Sequence, residues 1–507
     1  MKLDFVRNTK RNMLAGVVAS VAGMVLQFVN RTLFLWLLGP EYLGLNGLFS
    51  SVLGVLSLAE LGFSTALVCA MYKPIADDDR ELLCAYLKFF RDVYRGVGTA
   101  IFVLGLCLLP FVPRLVHGSV PEGLDLRILY LIHLVNTSAS YFLFAYRGSV
   151  LHAYHRGDLL VNMKTALQFA QYFTVLAVLL LTRNYYHYVL VTVVFTVLNN
   201  LAVLRMVRRH FPSITPHGRL AAWRRKALLN DIKAIFLHRV GGMISSSVDN
   251  LVISAFLGLV AVAAYGNYYY VMTVVAGLVS VGYGSVVAGL GNKIHTVSKE
   301  ENFRLFMKMV RLTMMAVTGC GAVMMALYQP FLREWTKNNP DLVRHALTPV
   351  LMVAYFHVWQ ARQALLSFKS AAGLWHADRW KPIVAGAANL VLTVGLVVEL
   401  PGDYKLDGVA FATLATYALI QMPWETHVVF TQFFGRHEER RYWRMQGAFA
   451  LLAAVLCAAA WGVARAIPLE GIPGLAAKGA AASAVAGGPL AVLFRKDLAE
   501  ALRRFRG

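Results

Sequence analysis

Charged residues are scarce in this chain of 507 residues. They make up 15% of the chain, whereas hydrophobic residues make up 58%. A soluble domain typically has about 25% charged residues. The mean hydropathy is +0.56, so the composition excludes a soluble globular protein and a disordered chain and predicts a membrane protein. The net charge of +22 alone would fit a nucleic-acid binder, but the basic residues interrupt long apolar runs, and no nucleic-acid partner is predicted.

The motifs of common enzymes are also missing. The sequence contains no Gly-Lys-Ser/Thr phosphate loop, no His-Glu-x-x-His metal motif and no Gly-x-Ser-x-Gly nucleophile motif. Its 5 cysteines do not have the spacing of metal ligands, and buried free thiols are the simpler interpretation. We therefore predict a protein that is not an enzyme and that needs no cofactor and no metal.

Apolar segments that are long enough to cross a membrane, which takes about 20 residues, recur along the whole chain. They predict an all-α, polytopic membrane protein with about 14 transmembrane helices. The predicted spans cover residues 13–38, 44–70, 95–112, 126–150, 163–182, 185–206, 232–257, 260–290, 307–330, 345–368, 382–400, 407–432, 446–466 and 475–494. The connections are short, and none could form a soluble catalytic domain.

The positions of Lys and Arg predict the orientation in the membrane. With a cytoplasmic N-terminus and alternating spans, the excess of basic residues falls on the cytoplasmic side. Both termini then lie there, and we expect a multi-pass protein of the cytoplasmic membrane. Most of the net charge therefore reflects topology and not an anionic ligand.

The first predicted span is repeated in the seventh. At a constant offset, Val21, Gly23, Met24, Val29, Leu38, Gly39 and Gly47 align with Val240, Gly242, Met243, Val248, Leu257, Gly258 and Gly266. Six spans separate the copies, which predicts two parallel six-helix repeats, as in many secondary transporters. The alternative is a chance similarity of two apolar helices.

The repeat also predicts how the chain is divided. We expect an N-terminal six-helix half at 1–207, a basic cytoplasmic linker at 208–231, a C-terminal six-helix half at 232–435, and an extra helix pair with a basic tail at 436–507.

Few charged residues fall within the predicted spans. The basic ones are Arg31, Arg239 and Arg362, with Arg147 at an inner span end, and the acidic ones are Glu60, Asp249 and Glu425. A charge at mid-bilayer costs on the order of 3 kcal/mol or more, so it normally faces protein or water.

Arginine is suited to an anionic substrate because its planar group binds phosphate oxygens in bidentate fashion. The four arginines, together with Gln27 and Asn30 on the helix face of Arg31, are therefore candidate substrate-binding residues. The three acids are candidates for ion coupling. Two alternatives remain: arginines and acids pair to hold helices together, or Arg147 and Arg362 extend to the inner membrane surface.

Two stretches carry a resemblance to a known family. Residues 31–74 read RTLFLWLLGPEYLGLNGLFSSVLGVLSLAELGFSTALVCAMYKP, and the second half contributes DNLVIS at 249–254 and YGNY at 265–268. They are similar to Wzx-type flippases, the polysaccharide-transport family of the multidrug/oligosaccharidyl-lipid/polysaccharide exporter superfamily. The resemblance implies a MATE-like fold and alternating access.

The resemblance also implies a substrate. Such proteins move an undecaprenyl-diphosphate-linked glycan, the repeat unit of a cell-surface polysaccharide, from the inner to the outer leaflet of the bacterial cytoplasmic membrane. Cavity arginines hold the diphosphate in related lipid flippases, and here that role falls on Arg31, Arg239 and Arg362. Membrane lipids, a coupling Na⁺ or H⁺ and polysaccharide assembly enzymes are the other implied partners.

Three other functions remain open at this point. A drug or metabolite exporter of the same superfamily, driven by a cation, is the nearest one. A membrane-embedded glycan polymerase or glycosyltransferase would need larger outer loops than this chain has. An inactive homologue that holds other envelope proteins together is the third.

Overall fold

In the computed structural model of the chain, the described residues form helices and no β-strand. The structure describes residues 5–57, 63–118, 120–121, 123–154, 156–293, 297–337, 339–372, 374, 376–495 and 497. The predicted all-α class is confirmed. The chain divides into two compact units, unit 1 at Met1–Ala263 and unit 2 at Ala264–Gly507. The division predicted from the repeat, with a second half that starts at residue 232, stays a prediction.

Unit 1 is built from long helices joined by short connections. They are α1 (Phe5–Leu38), α2 (Pro40–Leu56), α3 (Phe63–Ala76), α4 (Arg80–Leu108), α5 (Leu126–Phe142), α6 (Gly148–Ala153), α7 (Gly157–Thr182), α8 (Tyr185–His210) and α9 (Ala222–Leu257). A short 3₁₀ segment, Ala145–Arg147, lies between α5 and α6. The next helix, α10 (Leu259–Lys293), begins in unit 1 and continues into unit 2.

Unit 2 contains the remaining helices. They are α11 (Lys299–Trp335), α12 (Leu347–Ala371), α13 (Lys381–Glu399), α14 (Lys405–Thr416), α15 (Met422–Val429), α16 (Arg436–Ala466) and α17 (Gly471–Leu493). Two π-helical segments, Tyr417–Gln421 and Phe430–Phe434, flank α15 on its two sides. Inserted π turns of this kind occur often at functional sites.

Most helices cover the predicted spans, but α2 ends at Leu56 and α3 begins at Phe63 within the second predicted span, and the number of spans is not confirmed. In the described part of the chain, 9 helices are long and apolar enough to cross a membrane, or up to 10 when the bent pair Leu126–Phe142 and Ala145–Ala153 counts as one. The helix α2 has 17 residues, which is at the lower end of the length that a span needs. The second predicted span also includes residues 58–62, which lie outside the described residues.

Two glycines aligned by the repeat make equivalent turns. Gly39 lies between α1 and α2 with φ of 106°, and Gly258 lies between α9 and α10 with φ of 88°. Positive φ values in this range are open to glycine at little cost and strain other residues. The sequence repeat therefore includes a glycine with positive φ immediately before the second helix of each predicted half.

The extra helix pair packs against α11 through small side chains. Ala322 on α11, Ala460 on α16 and Ala482 on α17 are all fully buried in one cluster with neighbouring alanines and leucines. Gly319 of α11 also lies against Leu490 of α17. Small residues allow helix backbones to approach closely within a membrane, so the pair is an integral part of unit 2.

We expect Ala460→Leu to lower the free energy of unfolding by roughly 1–3 kcal/mol, because the larger side chain has no space in this close-packed cluster. The matched control is Ala459→Leu on the exposed side of the same helix, with an expected change within about 0.5 kcal/mol. Denaturant titration in detergent, followed by Trp fluorescence, measures both. Equal effects of the two substitutions would contradict the packing described here.

Candidate functional site

Arg31 lies on α1 among polar groups of unit 1. Its side chain is half-buried and close enough to the Tyr188 hydroxyl on α8 for an electrostatic interaction. Asn30 is buried and donates from Nδ2 to the Leu26 carbonyl at 3.0 Å. Its Oδ1 is enclosed without a hydrogen-bond partner among the described residues, while Gln27, one turn before Arg31, is exposed. The three predicted side chains thus share one stretch of helix.

Aromatic rings line the neighbourhood of Arg31. The Phe34 ring lies 4.7 Å from the Tyr188 ring and 5.5 Å from the Tyr185 ring, centroid to centroid. The Tyr185 hydroxyl is 3.4 Å from Nε2 of His133, and both residues are buried. The rings of Tyr185 and Tyr188 carry hydroxyl groups, so this neighbourhood is apolar on the ring faces and polar at the ring edges.

The other predicted residues of unit 1 are only partly described. Asp249 on α9 is buried, with 5% of its surface exposed, and its neighbour Asn250 donates from Nδ2 to Ser51 Oγ on α2 at 2.9 Å. Arg239 lies on α9, but its side chain lies outside the described part of the structure. Glu60 lies outside the described residues.

Arg147 lies at the break between α5 and α6, which are bent by 42° relative to one another. It is buried, with 6% of its surface exposed. Its Nε is enclosed and has no hydrogen-bond partner among the described residues. The ring of the adjacent Tyr146 lies 5.9 Å from its guanidinium carbon.

Arg362 and Glu425 lie together in unit 2. The guanidinium of Arg362 on α12 donates from Nε to Oε2 of Glu425 on α15 at 2.9 Å and from Nη2 to Oε1 at 2.7 Å. Glu425 is fully buried and Arg362 is 5% exposed. Such a bidentate pair is stronger and more directional than a single hydrogen bond. Arg362, a predicted substrate-binding residue, is therefore paired with Glu425, a predicted coupling residue.

Three residues that the sequence did not single out complete this buried charge cluster. Lys381 Nζ contacts Glu425 Oε1 and lies 3.1 Å from Asp378 Oδ2. Lys369 Nζ lies 2.5 Å from the same Asp378 oxygen, and all three side chains are at most 7% exposed. Arg362, Lys369 and Lys381 against Asp378 and Glu425 give three cations and two anions. The three added residues fall in the connection between the predicted spans 345–368 and 382–400, where charges normally reach water.

An aromatic row extends from this cluster within unit 2. The Arg362 guanidinium carbon is 4.4 Å from the centroid of the Tyr417 ring, and Tyr417 lies edge-on to Tyr355 at 5.1 Å. Tyr355 stacks with Tyr269 at 6.4 Å and with Trp359 at 6.2 Å. These rings form a continuous row with the Arg362 guanidinium at one end. In the sequence, only the spacing of aromatic residues along separate helices could have indicated this row.

A comparison with protein families identifies a family to which this chain is similar. The family model described as "Polysaccharide biosynthesis protein" matches residues 9–288, which is more than half of the chain. The predicted resemblance to polysaccharide-transport flippases is confirmed. No curated protein matches the sequence.

Solved structures of transporters share the fold. The lipid II flippase MurJ in an inward closed conformation matches with a TM-score of 0.67 and 15% identity, over 95% of this chain and 99% of that one. An inward-facing multidrug resistance MATE transporter of the MOP superfamily matches with a TM-score of 0.59 and 13% identity, over 81% and 98%. An outward-facing MATE transporter gives 0.55 and 14%, over 83% and 96%. These likenesses confirm the predicted MATE-like fold, and the relatives are transporters and not catalysts.

Proposed function

This chain belongs to the family of polysaccharide biosynthesis proteins, and from that premise we propose that it is a lipid-linked oligosaccharide flippase. It moves an undecaprenyl-diphosphate-linked glycan from the inner to the outer leaflet of the bacterial cytoplasmic membrane by alternating access. Both termini lie in the cytoplasm under this proposal.

The observation that carries the proposal is the environment of Arg31. Arg31 is a half-buried arginine inside a predicted span, and a diphosphate offers the oxygen geometry that a guanidinium binds. The neighbouring amides of Gln27 and Asn30 supply hydrogen-bonding groups for sugar hydroxyls. The ring of Tyr188, which is partly exposed, supplies a flat surface on which the C–H face of a sugar ring packs.

The other predicted arginines receive different roles. Two nitrogens of Arg362 are bonded to Glu425, so Arg362 chiefly shapes the cationic end of the aromatic row and contacts glycan there. Arg239 shares the phosphate role with Arg31. Arg147 meets the phosphate at an earlier stage of transport.

Among the acids, we propose Asp249 as the coupling residue for Na⁺ or H⁺. It is buried on α9, and the adjacent Asn250 donates a hydrogen bond to Ser51 on α2. Glu60 shares this proposed role.

A cation-coupled exporter of drugs or metabolites is the second candidate function, and the fold shared with MATE transporters favours it. If the chain is a flippase, we propose polysaccharide assembly enzymes as its protein partners; an exporter would not need them.

The test is transport in liposomes that contain a fluorescent undecaprenyl-diphosphate oligosaccharide, with its appearance in the opposite leaflet measured by quencher protection. We expect Arg31→Ala to slow flipping by roughly 10- to 100-fold, because a charge-assisted contact to phosphate is lost. Arg31→Lys should lie between this variant and the wild type, since lysine keeps the charge and loses the bidentate geometry.

The matched control is Arg127→Ala, an exposed arginine of unit 1, which should flip at the wild-type rate. Wild-type protein that flips the lipid no faster than protein-free liposomes would overturn the flippase proposal. Normal flipping by Arg31→Ala would overturn only the role of this arginine. Export of cationic dyes without lipid flipping would favour the exporter.

A further inference from the structure

Arg147 is a buried cation without a counter-ion among the described residues. Its Nε is enclosed and has no partner, and 6% of the residue is exposed. A buried charge is normally paired, because its removal from water is unfavourable unless an opposite charge or several hydrogen bonds compensate. The contact with the adjacent Tyr146 ring, 5.9 Å away, supplies only a weak interaction at that distance. The environment of Arg147 is therefore incomplete without an anion.

The backbone around Arg147 points to a site as well. The span breaks after Phe142, and the Phe144 amide donates to Asn200 Oδ1 at 3.3 Å and not to a carbonyl of its own helix. Asn200 Nδ2 in turn donates to Ser140 Oγ at 3.3 Å. In membrane proteins, non-helical backbone at a span is tolerated where it is buried in protein or lines a cavity. Broken spans commonly mark the binding sites of transporters.

The equivalent span of the second predicted half provides an internal comparison. By the predicted repeat, the fourth span, which carries Arg147, corresponds to the tenth, which carries Arg362. Arg362 is equally buried, but it has Glu425 as a bidentate partner. The chain thus supplies a carboxylate for one of the two arginines and none, in its described part, for the other.

We propose that Arg147 is the centre of a lipid-phosphate site at the break between α5 and α6, which the predicted topology places at the inner leaflet. The occupant is a phosphate or diphosphate group on a lipid, bound before the lipid reaches Arg31. Two kinds of lipid carry such a phosphate group: the undecaprenyl diphosphate of the transported glycan and an anionic phospholipid. The first source rests on the proposed function, whereas the site itself does not.

The test is thermal unfolding of the full chain in detergent, followed by Trp fluorescence, during titration with each of four compounds. These are undecaprenyl diphosphate, its phosphate-free analogue undecaprenol, phosphatidylglycerol and inorganic pyrophosphate. We expect the melting temperature to rise with the diphosphate lipid and not with undecaprenol. Arg147→Gln should raise the half-saturating concentration of this lipid by roughly 10- to 100-fold. Without lipid, the variant should be at least as stable as the wild type, because an uncompensated buried charge is gone.

Arg156→Gln is the matched control, since Arg156 is an exposed arginine next to the same break and pairs with Asp158. It should titrate like the wild type. Arg147→Met is a second variant, close in length and without charge, and it should behave like Arg147→Gln. Unfolding of both variants without lipid would overturn the proposal, because it would show that Arg147 already has its partners within the protein.

The remaining outcomes identify the occupant. If Arg147→Gln has the same half-saturating concentration of undecaprenyl diphosphate as the wild type, the site is overturned. If pyrophosphate saturates the wild type at the same concentration as the lipid does, the assignment to a lipid is overturned. Equal saturation by phosphatidylglycerol supports the site with a phospholipid head group as its occupant. Saturation by undecaprenyl diphosphate alone supports the transported lipid. Because none of these readouts requires transport, failure here is distinguishable from failure of the liposome assay.

Discussion

Glu425→Gln is expected to lower the free energy of unfolding by about 3–5 kcal/mol, the effect of breaking a buried ion pair on one side. The substitution removes the carboxylate that accepts two Arg362 nitrogens and contacts Lys381. Asp378 is then the only anion left in the buried charge cluster. Denaturant titration in detergent, with Trp fluorescence as the signal, measures the loss.

Two variants separate this effect from ordinary surface electrostatics. Asp403→Asn removes the partner of Arg344 at 3.7 Å, where the Asp403 side chain is 85% exposed, and should cost at most about 1 kcal/mol. The double substitution Arg362→Leu with Glu425→Leu should recover part of the stability, because it leaves neither charge alone. A double variant as unstable as Glu425→Gln, or equal losses at Asp403 and Glu425, would contradict this description of the cluster.

Gly44→Ala is expected to lower the free energy of unfolding by about 3 kcal/mol, at the upper end of the usual range for overpacking. A Cβ atom at Gly44 would lie 2.1 Å from the carbonyl oxygen of Leu259 and 2.7 Å from its carbonyl carbon. Both are backbone atoms, so no side-chain rotation relieves the clash, and the starts of α2 and α10 would have to separate. The same denaturant titration measures the effect.

The matched control is Gly23→Ala, in a helix where a Cβ meets no atom within 4 Å. It should leave stability unchanged or raise it by up to about 1 kcal/mol, because alanine favours the helix. Gly47→Ala should fall between the two, since its nearest neighbour is the movable Cγ1 of Val262 at 3.2 Å. Any other rank order would mean that the close approach of Gly44 to Leu259 is absent in solution.

The positions of the spans could be predicted from sequence because apolar runs determine them. The helices start earlier than predicted at Arg80, Ala222, Lys299 and Arg436, since each begins with several turns that carry charged residues, which a hydropathy criterion leaves out. The break after Phe142 was not predicted, because no proline lies within α5 and the apolar run continues across the break.

The site could be predicted only in part. Arg362 and Glu425 are visible as charges inside spans, but their pairing depends on how α12 and α15 face one another, which periodicity does not determine. Lys369, Asp378 and Lys381 are invisible for a different reason: residues at span ends usually reach water, and only tertiary structure encloses them. The same ambiguity applied to Arg147, for which burial and extension to the membrane surface are equally compatible with the sequence.

The buried charge cluster also constrains how the protein is synthesised and inserted. Arg362 and Glu425 are 63 residues apart, so at about 5–20 residues per second the ribosome needs roughly 3–13 s to supply the partner. During that interval α12 carries an unpaired arginine, which costs about 2.5–3.5 kcal/mol at the centre of an inserting helix. We therefore expect α12 to stay at the translocon until α15 emerges, so that the segment from α12 to α15 enters the lipid as a single insertion unit.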